Sequence, residues 1–137
     1  MSRNPHEILF HRHHANPLLT AADWPYPAHT VFNPGAVRLR DGTTLLLCRV
    51  EDRRGHSHLC AARSPNGVDR WTIDPEPTLH PDPDHHPEEL WGIEDPRITF
   101  VELGDEIRAR LSLRHVQHEQ IGVCLGIRLI EENMPCI

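Results

Sequence analysis

The chain predicts an all-β fold, on three observations. Apolar residues recur in short runs with period two, as where Val37 and Leu39 alternate with Arg38 and Arg40. Turn chemistry separates these runs, in Asp41-Gly42, Gly55-His56-Ser57 and Pro65-Asn66-Gly67, at the spacing of roughly 8 to 12 residues that short strands need. The 13 prolines and 8 glycines are scattered between the runs and leave no room for long helices.

Taken in order, residues 1–14 are polar and histidine-rich and read as a flexible N-terminal segment. His11, His13 and His14 lie close together, but structural zinc ligands come in paired spacings with partners, and none is evident, so no metal is assigned. Asn16 to Pro27 is a proline-punctuated extended run whose aromatics, Trp24 and Tyr26, are expected to cover a sheet edge. The first strand pair opens with Thr30-Val31-Phe32, passes through Asn33-Pro34-Gly35 into Ala36–Arg40, and turns at Asp41-Gly42, read as a type I′ turn. Thr43–Val50 returns as a continuous apolar run, which predicts burial on both faces, with Arg49 emerging among Glu51 and Asp52.

His58–Ser64 is the next strand and Trp71–Asp74 the last of the group. Residues 75–90 form a long loop of Pro, Asp, His and Glu, a composition that builds no core. His80, His85 and His86 with Asp82 and Asp84 are read there as a solvated loop, with metal binding as the alternative. Four short strands, a loop and a further strand suit one blade of a β-propeller, and equally a sandwich.

Composition excludes some functions. A net charge of −6 without a long basic run argues against nucleic-acid binding. No apolar stretch approaches the roughly 20 residues of a membrane helix, and the N-terminus lacks a signal peptide's apolar region. Cys48 and Cys60 lie inside apolar runs, and the 4 cysteines form no C-x-x-C pair. Free buried thiols fit a reducing compartment, so the chain reads as cytoplasmic.

Function is anchored in Trp91–Phe100, where Glu94 and Asp95 are pinned between Gly92 and Pro96 and Arg97 follows the proline. A proline removes the α region from the residue before it, so Asp95 is expected to be held extended at the mouth of the following strand. A carboxylate fixed in this way suits acid catalysis. The plainer alternative is a turn opener, with Arg97 as the ion-pair partner of Asp95.

Five segments resemble, in order, the inverting β-mannoside phosphorylases and related enzymes of glycoside hydrolase family 130. They are Asn16–Leu19, Val31–Ala36, Leu46–Asp52, Ser57 with Ala61–Ser64, and Gly92–Thr99. The resemblance implies a five-bladed β-propeller whose central funnel binds sugar. It implies that Asp95 is the general acid, acting on the glycosidic oxygen through a mannosyl hydroxyl. Asn33 and Arg49 match residues lining the mannosyl subsite, with Asp52 and Glu94 beside them. The implied substrates are a β-mannoside oligosaccharide or glycoside and inorganic phosphate, with no cofactor. Phosphate is already an anionic nucleophile, so a lone acid suffices where an inverting hydrolase needs a second carboxylate.

Five blades of about 40 to 45 residues need more than about 200, so 137 residues are expected to hold about the first two blades of an incomplete domain. Low activity alone and self-association through an unclosed sheet edge follow as expectations. Ile107–Leu113 alternates as a strand does, and Ile121–Ile130 offers another, but residues 106–137 carry no motif of the family. A gene fragment or a change of reading frame after Asp105 is the expectation for that tail. The alternatives are a non-catalytic sugar-binding remnant and a metal-binding protein, the last resting on the 12 histidines.

Overall fold

The computed structural model describes residues 10–103, 106–115 and 125–129. β1 (Thr30–Arg38), β2 (Thr44–Glu51), β3 (Ser57–Ser64) and β4 (Thr72–Ile73) form an antiparallel sheet in chain order. β5 (Ile93–Leu103), β6 (Glu106–His115) and β7 (Leu125–Leu129) form a second, also in chain order. Among the described residues the helical pieces are two single 3-10 turns, Ala21–Asp23 and Pro87–Glu89, so the fold is all-β. No helix there is long and apolar enough to cross a membrane. β6 and β7 fall where the alternating tail predicts strands; the rest of that tail, Cys124 and Cys136 included, lies outside the described residues, as do residues 1–9.

The apolar run of β2 is explained by burial on both faces of the first sheet. Leu45 and Leu47 pack with Leu59, Ala61 and Ile93 of β5 on one face. Cys48 and Val50 pack with Cys60, Ala62 and Trp24 on the other. Cys48 and Cys60 stand opposite each other in register, both buried and free, and burial pushes the Cys48 thiol up to about 12. These thiols fill space and do not react at neutral pH. Trp24 and Tyr26 cover this second face and not the sheet edge expected from their extended run. Two ring-sized apolar surfaces remove more area from water when laid on a face than along an edge.

The β1–β2 turn falls at Asp41-Gly42 but is not type I′. Of its residues Gly42 alone has a positive φ, 88°. Leu39 N–H bonds Thr43 O at 2.8 Å and Gly42 N–H bonds Leu39 O at 3.0 Å, giving a three-residue loop with glycine in the left-handed position. Asp41 selects this form by accepting the Thr43 N–H at 2.8 Å and its hydroxyl at 2.9 Å. The polar stretch 75–90 also departs from expectation. Leu79 and Leu59 exchange two backbone hydrogen bonds of 3.0 Å, continuing the outer side of β3 beyond short β4. Glu89 is buried and accepts the Asp82 N–H at 2.7 Å, so the loop is tied down at both ends.

A polar chain crosses the covered face. Trp24 Nε1 donates to Tyr26 Oη at 3.0 Å, and Tyr26 Oη lies 2.9 Å from His58 Nε2, with His80 stacked on His58 at 6.0 Å. The phenol oxygen accepts from the indole and bonds the His58 ring nitrogen, a pairing that a neutral imidazole serves in either tautomer. Burial, then the neighbouring His80, lowers the His58 pKa below its ordinary 6.5, against a weaker opposing pull from Asp52. The folded state therefore binds this proton less readily than the unfolded one, so stability is full above about pH 6.5 and falls as pH drops below it. Thermal midpoints measured at pH 7.5 and 5.5 are expected to separate, and His58→Gln to narrow the gap.

Candidate active site

The site forms where the first strands of the two sheets approach each other. A proline cannot donate to a ladder, and each of these strands carries one within it. In β1 the pairing register shifts between Phe32 and Gly35, around Asn33-Pro34; in β5 it shifts between Glu94 and Arg97, around Asp95-Pro96. Both strands thus bulge one residue before a proline, and the bulges face each other. A Cβ on Gly35 would lie 2.9 Å from the Pro96 carbonyl oxygen, so only glycine permits this approach of backbones. Asn33 Nδ2 donates to Asp95 Oδ1 at 2.6 Å, joining residues 62 apart in the chain.

Asp95 is not extended. Its φ is +51°, in the left-handed region. The expectation from Pro96 fails because the bulge takes Asp95 out of the ladder, and aspartate tolerates this region better than most side chains. A non-glycine residue held there is strained by about 1 to 3 kcal/mol, and such strain gathers at sites where a side chain must be aimed.

Arg49 is the hub of the site. It stands opposite Phe32 in the β1–β2 register, with its guanidinium carbon 4.8 Å from the ring centroid. One terminal nitrogen pairs with Glu51 Oε1 at 2.6 Å and the other with Glu94 Oε2, so the arginine ties β2 to β5. All three side chains are less than one-fifth exposed. Its Nε is buried and has no partner among the described residues. Two carboxylates, Glu51 and Glu94, thus share one guanidinium, and with Asp95 next to Glu94 in the chain the cluster is acidic.

Sequence reasoning brought Asn33, Arg49, Glu94 and Asp95 together, and the fold brings them together too. It set Arg49 among Glu51 and Asp52 but gave Glu51 no place in the site, although period two puts Glu51 on the same strand face as Arg49, and it missed Phe32. Asp52 sits at the end of β2 and serves the turn: it accepts the N–H groups of Arg54 at 2.8 Å and His56 at 3.0 Å, and pairs with the Arg54 guanidinium. Partial burial opposes its charge, but the His56 and Arg54 hydrogen bonds outweigh that and bring its pKa down to about 2. Arg97 donates to the Pro96 carbonyl at 2.9 Å and so braces the bulge. No group of three or more metal-ligating side chains comes together among the described residues.

No family model matches the chain, and no curated protein does.

Proposed function

We propose that the chain is of the glycoside hydrolase family 130 type, with its two sheets as successive blades of a β-propeller and Asp95 as the general acid on a β-mannoside. The observation that carries this reading is the 2.6 Å bond between Asn33 and Asp95. It joins two Asx-Pro bulges at equivalent places in the first strands of two chain-ordered sheets. Neighbouring blades of a propeller present their first strands in this way to a central channel.

In this reading the mannosyl ring lies against Asn33 and Arg49, with Glu94 beside them and Asp52 at the rim. Asp95 delivers a proton toward the glycosidic oxygen as its bond to C1 breaks, and phosphate forms a bond to C1 from the opposite face, giving α-mannose 1-phosphate. Arg49 is already shared by Glu51 and Glu94, so the cations that hold phosphate come from outside this cluster. The acidity of the cluster favours a second reading, transfer to water, since a neutral nucleophile meets no repulsion from Glu51 and Glu94.

Calorimetric titration with β-1,4-mannobiose tests the binding half of the reading. The native chain is expected to prefer it to cellobiose. Asn33→Ala and Arg49→Lys are each expected to weaken binding roughly tenfold, the worth of one good charge-assisted hydrogen bond. Equal affinity for both disaccharides, or unaltered binding by both variants, would remove the sugar from this site.

A further inference from the structure

We infer that Glu51 is a specificity-determining residue: together with Glu94 it matches the charge of Arg49, and so admits neutral sugars to the guanidinium and turns away acidic ones such as uronates. This rests on the reading of Asp95 and its neighbours as a mannoside site. Period two places Glu51 on the face of β2 that carries Arg49. Both of its carboxylate oxygens are engaged. Oε1 accepts from Arg49 at 2.6 Å, and Oε2 accepts at 3.3 Å from the hydroxyl of Thr30, its register partner on β1. Its register partner on β3, Ser57, is buried. The carboxylate is therefore fixed beside the guanidinium.

A guanidinium carries one positive charge and several N–H donors. Glu51 holds one terminal nitrogen of Arg49 and Glu94 the other, so among the described side chains a pair of carboxylates answers a single cation. N–H groups remain for ligand oxygens, but the attraction that a ligand carboxylate needs is already matched. A hydroxyl accepts a hydrogen bond without bringing charge, whereas a carboxylate would add further negative charge at the same cation. The side chains of Arg49, Glu51 and Glu94 are 19%, 18% and 15% exposed, so water screens that repulsion incompletely. Glu94 has a structural duty, since its pairing ties β2 to β5. Glu51 lies on the same strand as Arg49 and ties no second sheet, so its charge is what it contributes. A repulsive group placed against the wrong ligand is one of the two ways in which a site discriminates.

The test is calorimetric titration of the full chain with β-1,4-mannobiose and with the β-1,4-linked disaccharide of mannuronic acid, the same backbone with a carboxylate at C6 of each ring. The native chain is expected to prefer the neutral sugar by roughly tenfold or more, the scale of a like-charge contact. Glu51→Gln keeps the shape, and its amide oxygen still accepts from Arg49, so it is expected to narrow that preference roughly tenfold by gaining affinity for the uronate. Glu51→Asp keeps the charge and is expected to retain the preference. Raising sodium chloride from about 0.05 to about 0.5 M needs no variant and is expected to narrow the native preference, since salt screens repulsion between charges. Equal binding of the two sugars by the native chain, or a preference that neither Glu51→Gln nor salt moves, overturns the role of Glu51 and leaves the mannoside site standing. Failure of the native chain to bind mannobiose overturns both.

Discussion

Gly92→Ala is expected to lower stability by about 4 kcal/mol or more, at the diagnostic end of the range for single substitutions. The glycine has φ +110°, which L side chains rarely adopt, and the added methyl would meet Ser57 backbone nitrogen and oxygen at 2.5 Å and its hydroxyl at 2.8 Å. Backbone atoms of a central strand cannot step aside. The strain would part β5 from β3, expose Ile93 and pull Glu94 away from Arg49, so the site is lost with the packing. Gly55→Ala is the control. It also has positive φ, +85°, but nothing lies within 4 Å of the new methyl, so only the backbone cost of about 1 kcal/mol remains. Thermal unfolding of the two variants separates close approach from conformation: equal midpoints would mean that the Gly92–Ser57 contact holds nothing together.

Asp95→Asn is expected to reduce turnover of a β-mannoside by between about a hundredfold and ten-thousandfold, the span typical of a positioned acid. The substitution is clean. Asparagine tolerates the left-handed backbone as aspartate does, and its carbonyl can still accept from Asn33 Nδ2. The fold and the bulge therefore persist while the transferable proton is gone. Unfolding curves of the native chain and the Asp95→Asn variant should superimpose within about 1 kcal/mol.

The legible part of this fold came from short-range signals. Alternation at Val37 and Leu39 and the Asp41-Gly42 turn placed β1 and β2, and the unbroken apolar run of β2 foretold its double burial. The polar loop hid Leu79, an apolar residue flanked by Thr78 and His80 whose pairing with Leu59 depends on an outer edge left open by two-residue β4. The Trp24–Tyr26–His58–His80 chain was equally hidden, since it joins residues from three separate segments. In the site, the clustering of Arg49 with carboxylates was readable, but the backbone of Asp95 was not. A proline biases its predecessor toward extended structure, and only the facing bulge at Asn33-Pro34 shows why that bias loses. The internal clue was present: Asn-Pro and Asp-Pro, each inside a strand that opens a sheet.

Whether the facing bulges form a glycosyl-transfer site is decided by incubating the native chain and its Asp95→Asn form with β-1,4-mannobiose and inorganic phosphate and following the products by proton NMR. The account predicts α-mannose 1-phosphate from the native chain, or α-mannose if water is the acceptor, and loss of either with Asp95→Asn. Turnover that survives Asp95→Asn, or no product at all from a folded native chain that also fails to bind the disaccharide, would contradict it.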